Sequence, residues 1–122
     1  GGLTSTVALN LKTSALNYFD TDSAGNWTWN ARGDGSTTFN STLADNESLT
    51  FTNICDHGGT AHYMTGFEID GSSVYSSIHW AGGSAPGASD AKANGTSVYT
   101  FTIIKRSSGN YKILGNFSAF ED

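Results

Sequence analysis

The sequence predicts an all-β protein: an antiparallel β-sandwich of jelly-roll type, with about eight to ten short strands in one domain and no substantial helix. Three observations carry this. Apolar residues recur with period two along most of the chain, the spacing of a strand with one buried face. Clusters of Gly, Asn, Asp and Ser separate these runs, supplying the backbone conformations and local hydrogen bonds that turns need. A chain of 122 residues suffices for one core, so 1–122 reads as a single domain, with residues 1–3 as a hinge or linker.

The strands follow in order. In "STVALNL" Val7, Leu9 and Leu11 face one way and Thr6, Ala8 and Asn10 the other. "NWTWN" sets Trp27 and Trp29 on a common face. Leu49 and Phe51 alternate with Thr50 and Thr52. In "HYMTGFEID" Tyr63, Thr65, Phe67 and Ile69 are expected to share a face. Tyr99, Phe101 and Ile103 stand opposite Thr100 and Thr102. "SAGN", "RGDGS", "DHGGT", "DGSS" and "SSGN" supply the turns. "VYTFTIIKR" and "YKILGNF", separated by Ser107-Ser108-Gly109-Asn110, predict a closing hairpin. The best helical candidate, "ASDAKANG", is short enough to form one turn at most.

Composition narrows the function. Only 14% of residues are charged, against 16 Ser and 15 Thr, so solubility rests on hydroxyls and amides. The net charge is −5 and the six basic residues are scattered. A nucleic-acid partner is therefore not expected, because binding a phosphate backbone needs clustered cations. No apolar run approaches a membrane span, so no membrane insertion is expected. Cys55 is the single cysteine and has no partner within the chain. The opening Gly1-Gly2 reads as a hinge, a cleavage scar or a cut from a longer chain.

Chemistry-bearing patterns are few. Asp20, Asp22, Gly25 and Thr28 match part of a calcium loop, but Ala24 and Ala31 stand where a central ligand and the bidentate carboxylate belong. Cys55, His57 and His62 lie close together without a second ligand pair, so they read as surface histidines around a partly buried thiol. No metal or cofactor is expected. No "GxSxG" elbow occurs, and the same-face pairs Asp20/Asp22 and Glu68/Asp70 run into turns. The chain is expected to be non-enzymatic. Arg32-Gly33-Asp34 reads as a turn.

The second half of the chain carries a resemblance. A strand ends at Trp80 and a turn follows through Gly82, Gly83, Ala85 and Pro86. An alternating strand then runs through Val98, Tyr99 and Phe101 to Ile104-Lys105, and a last strand carries Leu114-Gly115. This order, over roughly residues 62 to 120, resembles carboxy-terminal modules of tail-fibre and related appendage proteins of tailed bacteriophages, especially marine ones. The resemblance implies a virion structural module that mediates host attachment, with itself as a partner in a homotrimer and other virion proteins as neighbours. A host-surface glycan is the expected ligand. A sugar site needs an aromatic platform beside hydrogen-bonding groups, and Trp27, Trp29, Asn30 and Asp34 offer both within nine residues. The competing reading, which the usual burial of tryptophan favours, is that Trp27 and Trp29, being on one face, belong to the core. The alternatives are a capsid decoration protein and a carbohydrate-binding or glycoside hydrolase-like domain. The tryptophan-to-proline segment itself reads as a corner: Trp80 covers the core rim and the glycines reverse the chain.

Overall fold

The computed structural model describes residues 2–121, which form nine strands in two sheets. The strands are β1 (Ser5–Asn10), β2 (Leu16–Phe19), β3 (Trp27–Arg32), β4 (Ser48–Asp56), β5 (Met64–Ile69), β6 (Ser72–Ser73), β7 (Ile78–Trp80), β8 (Thr96–Ser107) and β9 (Asn110–Phe120). One sheet has the order β1-β3-β5-β6, the other β2-β4-β8-β9-β7. Among the described residues the helical elements are two short 3-10 turns, Tyr75–Ser77 and Ala81–Gly83. None is long and apolar enough to cross a membrane.

The expectation of antiparallel pairing is corrected. β1 with β3, β3 with β5, β2 with β4, and β7 with β9 run parallel, whereas β4–β8, β5–β6 and β8–β9 are antiparallel. The reason lies in the path of the chain. From β1 to β5 it changes sheet at every strand, so each strand lies beside the one two places earlier and points the same way. A parallel pair needs a crossover connection, and here a strand of the opposite sheet supplies it.

Alternation placed the core well. Leu9, Trp29, Phe51, Tyr99, Phe101 and Ile103 are all buried on inner faces. Rings from the two sheets meet directly: Trp29 lies edge-on to Tyr99 at 5.1 Å between centroids, and Phe67 stacks on Phe101 at 4.8 Å. Such pairs add to the area they bury. One strand departs from simple alternation. In β5 the buried residues are Met64, Phe67 and Ile69, while Thr65 is exposed. A register shift opposite Trp27/Thr28 inserts the extra residue of a bulge, so Tyr63 and Thr65 do not share the face of Phe67. Gly66 is tied to this site, because a Cβ there would lie 2.4 Å from the Thr28 hydroxyl.

The closing hairpin forms as the sequence predicts, with Thr102 opposite Leu114 and Phe101 opposite Gly115. Gly109, at φ 70°, occupies the left-handed turn position. Trp80 does cover the core rim, 5.8 Å from the ring of Phe101, and lies across Gly115, where a Cβ would come within 2.8 Å of the indole.

Candidate ligand-binding groove

The four expected ligand residues separate into two groups. Trp27 and Trp29 are 1% and 0% exposed, so neither indole offers a face to a sugar. Residues two apart on a strand share a face, and this face is the core one: Trp27 lies against Trp29 and Tyr99 at 5.3 and 6.1 Å. The expected aromatic platform is thereby corrected to a packing role. Asn30, one residue out of phase, points the opposite way.

Asn30 and Asp34 do come together. With Arg32, Thr37, Thr38 and Asp70 they line an open groove of about 360 Å³ at the end of the four-stranded sheet. Three local devices build it. At the β5–β6 hairpin Asp70 and Gly71 adopt φ 51° and 82°, the two left-handed positions of a tight turn. The Asn30 side-chain carbonyl accepts the Gly71 N–H at 2.8 Å and fixes that turn to β3. The Asp70 carboxylate accepts the backbone N–H groups of Phe39 and Asn40 at 2.7 and 3.0 Å, bringing the segment after Thr38 to the groove wall.

The third device is the turn across Asp34–Thr37, which Arg32 at the end of β3 and Gly33 lead into. The N–H groups of Gly33 and Asp34 both donate to the Thr37 carbonyl, and Asp34 accepts the Ser36 N–H at 2.9 Å. The Ser36 N–H and the Thr37 hydroxyl, with Lys12 at 3.8 Å, hold the Asp34 carboxyl below the usual carboxylate range. Asp34 is thus an ionised acceptor. Arg32 donates through Nε to the Asn10 side chain at 2.8 Å. Among the described residues no carboxylate pairs with it, and its Nη amines have no protein acceptor. The groove therefore offers guanidinium donors, carboxylate and amide acceptors, and threonine hydroxyls, with no aromatic ring in its lining.

Sequence reasoning did not foresee Arg32 or Asp70 as groove residues. Alternation on β3 carries a signal for Arg32, which lies two residues from Asn30 and hence on the same face. Asp70 has no comparable signal, because its contact with residues 39–40 arises only in the folded chain.

The histidines also differ from expectation. His57 is buried, not on the surface, and Cys55 is fully buried. His57 shares hydrogen bonds with the Ser23 and Ser97 hydroxyls at 2.7 and 2.8 Å, and Ser23 also meets His62 Nδ1 at 3.0 Å. Burial, assisted by His62, lowers the His57 pKa. Burial pushes the Cys55 thiol upward, so it is not an activated nucleophile. Ser23 has a base beside it, but the far nitrogen of that base meets a hydroxyl, not the carboxylate of a hydrolytic triad. Among the described residues no three His, Cys, Asp or Glu side chains converge as metal ligands. The Asp20–Thr28 segment is held by backbone bonds to Leu3 and Asp56.

No protein-family model, no curated protein and no solved structure matches the chain.

Proposed function

We propose that this chain is a non-enzymatic attachment module of a phage virion, carried on a tail fibre or similar appendage, and that the groove around Arg32 binds a host-surface glycan. Two sheets closing on one core fit the jelly-roll-like sandwich that the strand spacing predicts. One observation supports the ligand assignment above others. The guanidinium of Arg32, free of any carboxylate partner, stands in one open groove with the ionised Asp34, Asn30 and two threonine hydroxyls. Sugar hydroxyls are both donors and acceptors, and such a mixed set of donors and acceptors matches them. The groove is shallow and lacks an aromatic ring, so binding per site is weak and depends on several copies acting together.

Binding is favoured over hydrolysis by the state of the carboxylates. Glycoside cleavage needs a carboxylic acid kept protonated to protonate the leaving group. Asp34 is instead held ionised, and both Asp70 oxygens already accept backbone N–H groups.

The test is titration of the purified chain against polysaccharide extracted from candidate host envelopes, alongside Arg32→Ala and Thr37→Ala. Saturable binding that weakens at least about tenfold in Arg32→Ala, with the melting curve unchanged, is the expected result. Full-strength binding by both variants would remove the groove, and failure of the folded chain to bind any host envelope would remove the attachment reading.

A further inference from the structure

The outer face of the five-stranded sheet is unlike the rest of the surface. Among the described residues, all four exposed large apolar side chains lie on it: Leu16 and Tyr18 on β2, Leu114 and Phe120 on β9. Between the strands bearing them runs a threonine block, in which Thr50 and Thr102 share a hydrogen bond of 2.8 Å and Thr52 lies 3.3 Å from Thr100. The registers place the outward charged residues at its ends. Asp56 lies opposite Thr96 at one end, and Lys112 opposite Ile104 at the other. Both Asp56 oxygens are already engaged, one by Tyr18 and one by Thr96. Between those ends the outward residues include no Asp, Glu, Lys or Arg, so two copies can meet across an uncharged middle.

Its relief is self-complementary. β7 ends at Trp80, opposite Gly115, so the row of Asn116, Thr100 and Thr52 has no β7 residue at that edge. The vacancy is a recess of about 460 Å³ bounded by His79, Ala81, Leu114 and Asn116. At the opposite edge the same row ends in Leu16, which pairs with Thr52 and is 62% exposed. A twofold axis running along β8, parallel to its strand direction, reverses the strand order while keeping the rows. It lays β2 of one copy over β7 of the other, with each Leu16 above the partner copy's recess.

We infer that this face is a twofold dimer interface between copies of the chain. Strands of 4, 9, 12, 11 and 3 residues, about 4.8 Å apart and rising about 3.3 Å per residue, give roughly 600 Å² per copy, or about 1,200 Å² in all, the lower end of specific interfaces. An isologous contact of this kind closes at two copies, which replaces the homotrimer expected from the resemblance. The inference does not depend on the glycan reading.

Sedimentation equilibrium of the full chain from about 1 to 100 µM tests it. A dimer is expected, with Leu16→Lys and Leu114→Lys each weakening association at least about tenfold while leaving the circular dichroism and melting of the monomer unchanged. The second measurement uses the axis itself: Thr100→Cys on β8 faces its own symmetry mate across sheets packed about 10 Å apart, and a bis-maleimide of about that reach should link the two copies into a covalent dimer. Ser36→Cys, outside the face, should not, and the buried Cys55 does not compete. A monomer throughout, a trimer, or a dimer indifferent to both lysine substitutions and without Thr100→Cys cross-linking overturns the proposal. A monomer that instead sediments with purified capsids would assign the face to a shell protein.

Discussion

Replacing Lys105 by methionine should destabilise the protein by about 2–3 kcal/mol, and the structure shows why a lysine matters there. Lys105 is only 8% exposed, and among the described residues it has no carboxylate partner. Its ammonium group instead donates to the backbone carbonyls of Asn40 and Leu43 at 2.6 and 2.9 Å. These carbonyls belong to the long connection between β3 and β4, so a charge on β8 organises a segment some sixty residues earlier. Hydrogen bonds to a charged group contribute about 1.5–3 kcal/mol each. Methionine would keep the apolar stem and lose both bonds, while the backbone pairs Lys105 N–H to Glu47 and Asn46 N–H to Lys105 would remain. Part of the loss is recovered because Asn40 is near the surface and its carbonyl can be hydrated; the net is therefore below the sum of two bonds. With a urea slope of about 1–1.5 kcal/mol/M for a domain of this size, the midpoint should fall by about 1.3–3 M. Hydrogen exchange should accelerate locally at Phe39 and Asn40, whose N–H groups donate to Asp70. A loss below about 0.5 kcal/mol, or unchanged exchange at these amides, would refute the view that a buried cation holds this connection.

Two further outcomes follow from the core and the histidine cluster. Phe101→Ala should cost about 3–5 kcal/mol by chemical denaturation, toward the upper end because the rings of Trp29, Phe51, Phe67, Trp80 and Tyr99 pack around it from both sheets and cannot all collapse inward; a loss under 1 kcal/mol would contradict the packing. His57 has its pKa lowered by burial, so the unfolded chain takes up a proton more readily than the folded one. Its contribution to stability is complete above the ordinary histidine value of about 6.5 and is lost as pH falls through the folded value. Urea midpoints measured between pH 7.5 and 4.5 should decline, and His57→Gln should flatten part of that decline; a stability that rises as the solution is acidified through this range would reverse the sign.

Period-two spacing and turn residues were enough to show that the chain is built of short strands, which residues face the core on most of them, and where the closing hairpin turns. These are local matters. Side chains alternate across a strand whatever its partner, and Gly109 or Asp70-Gly71 mark turns through backbone conformations that few residues adopt. That same alternation put Trp27 and Trp29 on one face, with Asn30 opposite, but could not say which face was inside. Strand direction was equally hidden, because period two is identical in parallel and antiparallel pairs; only the path of the chain, crossing between sheets at each of its first five strands, makes β1, β3 and β5 parallel. The bulge at Thr65 shifted the phase of β5 through its fit against β3. The groove was half legible: Asn30 and Asp34 stood out as polar residues beside a turn. Asp70 joined them through bonds to Phe39 and Asn40, some thirty residues away in sequence, and contacts of that range exist only once the two sheets have closed.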